Sequence, residues 1–138
     1  MSVTYEVGEL AAAVGTVLSR AFPDEIWVKG QIRNLSRAQS GHVYFSLIDA
    51  AAAGDAAAAQ LPVTLFDSDK DAVNRALIRA GAGRMDDGVE VRIRGKLQHF
   101  PVRGVVQLRM TWIDTDFTLG RLAAARAALL RRLKSVSY

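Results

Sequence analysis

The chain has no cysteine. Disulfides, thiolate metal sites and a cysteine nucleophile are therefore excluded. Histidine is nearly as scarce. His42 and His99 stand alone and are not at helical ligand spacing, so a zinc site would need carboxylates that the pattern does not place. No apolar run reaches the ~20 residues that a membrane helix needs. The alanine-rich C-terminal stretch is cut by Arg121, Arg126, Arg131 and Arg132. Near the N-terminus, Glu6 and Glu9 stand where a secretory leader would carry a basic stretch and then an apolar one. The expectation is a cytoplasmic chain with no membrane partner. No Ser/His/Asp arrangement is evident, so no residue is assigned a catalytic role and the chain is not expected to be catalytic alone. No cofactor or metal is expected either. Asp-Ser-Asp-Lys-Asp at 67–71 opens like a calcium loop, but Ala72 occupies the glycine position and Ile78 that of the bidentate glutamate. Helix capping is the role expected for it. Gly81-Ala-Gly83 lacks the third glycine and the preceding strand of a dinucleotide loop.

What is present is alternation. From Ile26, residues Ile26, Val28, Gly30 and Ile32 share one parity, and Trp27, Lys29, Gln31 and Arg33 the other. Val43, Phe45 and Leu47 alternate with His42, Tyr44 and Ser46. The pattern predicts strands at 26–34, 42–49 and 61–66, with Pro62 tolerable at a strand end. Two longer strands follow. Val89, Val91, Ile93 and Leu97 alternate with Glu90, Arg92, Arg94 and Lys96, and the last strand covers about 105–114. Helical spacing of Leu10, Val14, Val17, Leu18 and Ala21 predicts a helix over 9–21, with Gly8 as its cap. A second helix is expected after Asp67–Asp71, burying Ala72, Val73, Ala76 and Leu77 and ending near Gly81 and Gly83. Leu119, Leu122, Ala125, Leu129 and Leu133 mark a third. The alanine-rich stretch from Ala50 to Gln60 reads as a loop.

A chain of 138 residues is one domain with appendages. The expected division is a helical lead at 1–22, a β domain at 23–116 and a C-terminal helix at 117–138. Helix, three strands, helix, two strands, helix is the order of an OB-fold, a mainly β five-stranded Greek-key barrel with a helix between strands three and four. Here it carries flanking N- and C-terminal helices. Gly30 and Gly95 fall mid-strand, where tight barrel curvature leaves no room for a Cβ.

The net charge of +4 favours an anionic partner. On the outward parity the expected nucleic-acid-binding residues are Lys29, Gln31, Arg33, His42, Tyr44, Arg92, Arg94 and Lys96. The loops that receive oligonucleotides in OB-folds add Arg37, from Leu35–Gly41, and Arg103, from His99–Gly104. Rings stack on bases and cations meet phosphates, which suits a single strand. Tyr44 is the sharpest candidate; its structural alternative is packing under the strand-one connection. Trp27 and Trp112 also fall on outward parity and are expected to pack beneath the flanking helices.

The strings Trp27-Val-Lys-Gly-Gln-Ile-Arg-Asn-Leu35 and Ser40-Gly-His-Val-Tyr-Phe-Ser-Leu-Ile-Asp49 resemble the N-terminal OB domain of exodeoxyribonuclease VII large subunits. Tyr5–Leu10, Asp87–Gly95, Phe100–Leu108 and the region of Gly120, Leu122, Leu133 and Lys134 agree, so the resemblance runs over about 5–134 and leaves 135–138 outside. It implies a domain that binds single-stranded DNA for a nuclease body located in later sequence. That body assembles with small subunits and degrades DNA to oligonucleotides. The resemblance also implies that this chain stops where the hydrolytic region would begin. Three features depart from the family. Lys29 and Gln31 stand where acids are usual, Gly8 replaces a capping serine, and the 50–60 loop is long and alanine-rich. Two alternatives stay open. One is an RNA reader of the anticodon-binding type, with Tyr44 as the stacking ring. The other is a docking scaffold acting through Leu119–Leu133.

Overall fold

In the computed structural model, inward residues of the first strand disappear from solvent while their neighbours do not. Gly30 and Ile32 are buried, whereas Trp27 and Lys29 are exposed. The structure describes residues 2–52, 54–55, 58–100, 105–118, 120–121, 127 and 129–131.

The elements are α1 (Val7–Ala21), β1 (Ile26–Arg37), β2 (Val43–Ile48), a 3-10 turn (Ala50–Ala52), β3 (Gln60–Leu65), α2 (Asp67–Ala80), β4 (Glu90–Phe100) and β5 (Val105–Ile113). The strands close into a barrel in the order β1-β2-β3-β5-β4. β3 and β5 pair in parallel, while the other neighbours are antiparallel. This is the five-stranded barrel expected, with α2 inserted between β3 and β4. Residues 115–118, 120–121, 127 and 129–131 are helical; much of the expected last helix lies outside the described residues.

Ile32, Leu65, Val91, Ile93, Leu108, Met110 and Ile113 are fully buried and fill the barrel. Val73 and Leu77 carry α2 onto the same core. Ala72 is exposed and Ala76 half-buried, because two helical positions suffice to meet the barrel. The two mid-strand glycines sit where chains approach closely. A Cβ on Gly30 would lie 2.7 Å from the Ile48 carbonyl oxygen, and one on Gly95 would collide with that of Arg109. Pro62 pairs only with β2; the β3–β5 ladder begins at Val63, so its missing N–H is no loss.

Several expectations are corrected. β1 runs three residues further than expected and takes in Arg37. It does so through a bulge: Arg33 opposes Ser46, yet Ser36 opposes Tyr44, with one extra residue on β1 and Asn34 at φ 55°. α1 starts at Val7, with Glu6 at its cap position and Gly8 already inside the first turn. It buries none of its residues; Leu10, Val14 and Val17 are exposed, because its contact with β4 is made by Gly15, beside His99. No side chain from 67–71 caps α2. The cap residue is Phe66, and Asp67 and Asp69 lie in the first turn, where acids complement the helix dipole.

Candidate nucleic-acid interface

The pairing registers assemble one row across the whole barrel. Ser36 on β1 opposes Tyr44 on β2. Tyr44 opposes Thr64 on β3, Thr64 sits beside Arg109 on β5, and Arg109 opposes Lys96 on β4. Cross-strand partners share a face. Thr64 is small and buried, a floor between the longer side chains of Tyr44 and Arg109. The Tyr44 side is an open ring at 42% exposure, so it does not pack under the strand-one connection.

Tyr44 is held by a chain of rings. His42 meets it edge-on at 6.3 Å and meets Phe66 edge-on at 4.9 Å. His42 is itself fixed, because the backbone N–H of Asp67 donates to its Nδ1 at 3.0 Å. That bond satisfies one of the open N–H groups at the start of α2. It also requires the ring proton on Nε2. His42 thus joins β2 to α2 and sets the edge against which Tyr44 stands.

Arg109 lies with its guanidinium carbon 4.6 Å over the Phe66 ring. Its nearest carboxylate, Asp69, is 3.9 Å away, a loose pair between half-exposed groups. Among the described residues Lys96 and Lys29 have no ion pair. Arg109 was not among the residues expected from sequence. Its signal was available in the alternation of Gln107, Arg109 and Thr111 with Val106, Leu108 and Met110.

The other expected cations have protein partners. Arg92 donates to Asp114 at 2.9 Å, and Arg94 pairs with Glu25 at 3.0 Å. Both stack over Trp27, at 4.1 and 5.6 Å from the ring centre. Among the described residues Trp27 is covered by arginines and not by a helix, and it remains 40% exposed; Trp112 packs half-buried against the core. Arg33 donates to Gln31 Oε1 at 3.0 Å. Arg37 ends β1 and donates to the Met85 carbonyl at 2.9 Å, which ties the end of β1 to the segment before β4. Arg103 lies outside the described residues.

The exit from the barrel is also built by hydrogen bonds. The Phe117 N–H donates to Asp114 Oδ1 at 3.0 Å, and Arg92 holds the other oxygen. The Phe117 amide, the largest influence, holds the Asp114 carboxyl below its ordinary value of 3.8; burial opposes it, and the hydrogen bond and charge of Arg92 and the Asp116 amide add to the lowering.

Residues 5–114 match the family model for the OB-fold nucleic acid binding domain. The chain is similar to the exodeoxyribonuclease 7 large subunit of Geotalea daltonii, at 35% identity over 127 residues, covering 92% of this chain and 25% of that protein. The same-named protein of Pseudomonas savastanoi pv. phaseolicola is 36% identical over 108 residues, 78% of this chain and 20% of that one. The chain thus spans a fifth to a quarter of the length of these curated relatives. The backbone also overlaps the N-terminal domain of the PriB protein of Thermoanaerobacter tencongensis, at a TM-score of 0.44 and 14% identity, over 67% of this chain and 94% of that one. Among the described residues no helix is long and apolar enough to cross a membrane.

Proposed function

This chain belongs to the family of OB-fold nucleic acid binding domains, and we propose that it binds single-stranded DNA on the row that runs from Tyr44 to Lys96. The observation that carries the reading is the row itself. An exposed ring is followed, across a small buried floor, by one loosely paired cation and one without an ion pair among the described residues. A single strand crossing the barrel would stack a base on Tyr44 and lay phosphates over Arg109 and Lys96. Lys29 and Arg33 border the same side of β1 and add positive charge. In this proposal Gln31 orients Arg33, His42 positions Tyr44, Arg37 holds the end of β1, and Arg103 extends the contact from the β4–β5 connection. Arg92 and Arg94 serve mainly to build the wall.

The relatives named exodeoxyribonuclease 7 large subunit support a larger setting. The domain would hold a single strand for a nuclease body elsewhere in a longer cytoplasmic protein. That body would assemble with small subunits and cut the strand to oligonucleotides. The domain itself, at 23–116 with flanking segments at 1–22 and 117–138, would bind and not cut.

The test is competition against a labelled oligo-dT bound to the isolated chain. Unlabelled single-stranded DNA should displace it far better than matched duplex or structured RNA. Preference for an RNA loop would move the assignment to the RNA reader. Failure of every nucleic acid to compete or bind would leave the docking scaffold as the reading.

A further inference from the structure

Lys96 has a second neighbourhood. Besides closing the row across the barrel, it lines a cleft of about 730 Å³ between α1 and β4. The walls include Thr16, Ser19 and Arg20 from α1 and Lys96, Gln98 and His99 from β4. Among the described residues no carboxylate lines it. Arg20 and Lys96 have no ion pair among the described residues. The buried Nδ1 of His99 has no hydrogen-bond partner among them either. A buried polar atom without a partner is uncommon and calls for a reason. The Thr16 hydroxyl is spent on the Ala12 carbonyl at 3.0 Å, but two cations, an imidazole, an amide and the Ser19 hydroxyl around an open space with no acid among its described residues suit a phosphodiester better than an apolar or cationic ligand.

We infer that this cleft is a second contact for the nucleic-acid backbone, entered from Lys96, and that it takes phosphates of the same strand that crosses Tyr44. The inference rests on the proposed function and extends it by naming α1 as part of the binding surface. Arg20 is the residue to test, because it belongs to the cleft and not to the barrel row. It also sits in the last turn of its helix, where a cation complements the dipole, so a control must share that position. Arg79, in the last turn of α2 and outside the cleft, is such a control.

The experiment measures anisotropy of oligo-dT over a salt series, using a ~6-mer and a ~16-mer to bracket the site sizes of OB-folds. The proteins are wild type, Arg20→Gln, Arg20→Lys and Arg79→Gln. One lost phosphate contact lowers the slope of log K against log salt by about 0.7 for a single strand. Arg20→Gln should show that loss and a several-fold weaker affinity with the long oligomer only. Arg20→Lys should restore both, and Arg79→Gln should match wild type. Equal slopes for Arg20→Gln and Arg79→Gln, with normal wild-type binding, would overturn the cleft and leave the barrel row standing. Absence of wild-type binding would overturn both.

Discussion

Arg92 on β4 reaches Asp114 across 2.9 Å while its guanidinium carbon sits 4.1 Å over the Trp27 ring on β1. One cation therefore joins three pieces of the chain: the first strand, the fourth, and the point where the chain leaves the barrel. The pair is half-exposed, so its energy is modest, about 0.2–1 kcal/mol for such an ion pair. Stacking on Trp27 adds about 0.5–1 kcal/mol. Arg92→Ala should lower unfolding free energy by roughly 1–2 kcal/mol in a urea titration. It should change oligo-dT affinity far less than a substitution in the Tyr44 row. A large affinity loss without a stability change would make Arg92 a direct phosphate contact.

Asp114 makes the same junction sensitive to acid. Its carboxyl is held below 3.8 first by the Phe117 amide and then by Arg92. A depressed folded value means that the stabilisation is fully present above the unfolded value. It is lost as pH falls through the lower, folded one. Asp114→Asn keeps a capping oxygen but loses the charge. Wild type should therefore be the more stable at neutral pH, and the gap should close below pH 3.8. Denaturant melts at several pH values read this directly, and a gap that persisted in acid would point to another cause.

Much of this architecture is legible in local alternation. The inward set Val28, Ile32, Val43, Phe45, Leu47, Val91 and Ile93 follows from period two, and the mid-strand Gly30 and Gly95 announce curvature. The remainder depends on contacts that sequence spacing does not carry. The bulge at Asn34 shifts the parity of β1, so Ser36 and not Leu35 opposes Tyr44. Arg109 enters the site through the parallel β3–β5 pairing that closes the barrel, between segments far apart in the chain. The β4–β5 pairing sets Arg92 against Asp114, and the β1–β4 pairing sets Arg94 against Glu25; no alternation distinguishes these from free cations. α1 was legible as a helix but not in its packing, since its apolar stripe is left exposed while Gly15 meets β4.

His42 should act on binding at one remove. His42→Ala removes the acceptor for the Asp67 N–H and the ring edges against Tyr44 and Phe66. Loss of a helix-start acceptor costs about 0.5–2 kcal/mol. Stability should fall by that amount, and oligo-dT affinity should fall less than it does when Tyr44 itself is truncated. Unchanged stability would show that the bond to α2 contributes nothing.

Gly95→Ala tests the barrel closure. The added methyl collides with the Arg109 carbonyl and approaches Leu108 at 3.0 Å. Backbone cannot yield as a flexible side chain does, so the cost should be at least the ~1–3 kcal/mol typical of overpacking. Arg109 would move with it. A thermal melt close to wild type would contradict the close approach of β4 and β5.

Whether Tyr44 stacks a base of a single DNA strand is measured directly by oligo-dT anisotropy with Tyr44→Ala, Tyr44→Phe and wild type at two salt concentrations. Stacking on a ring is worth about 1–3 kcal/mol per base, or roughly 5- to 150-fold in affinity. Tyr44→Ala should lose that much at both salts, Tyr44→Phe should lose little, and wild type should weaken as salt rises. Equal affinity of Tyr44→Ala and wild type would mean that no base stacks on Tyr44, and the absence of salt dependence would mean that no phosphate meets the cations; either result overturns the proposed binding row.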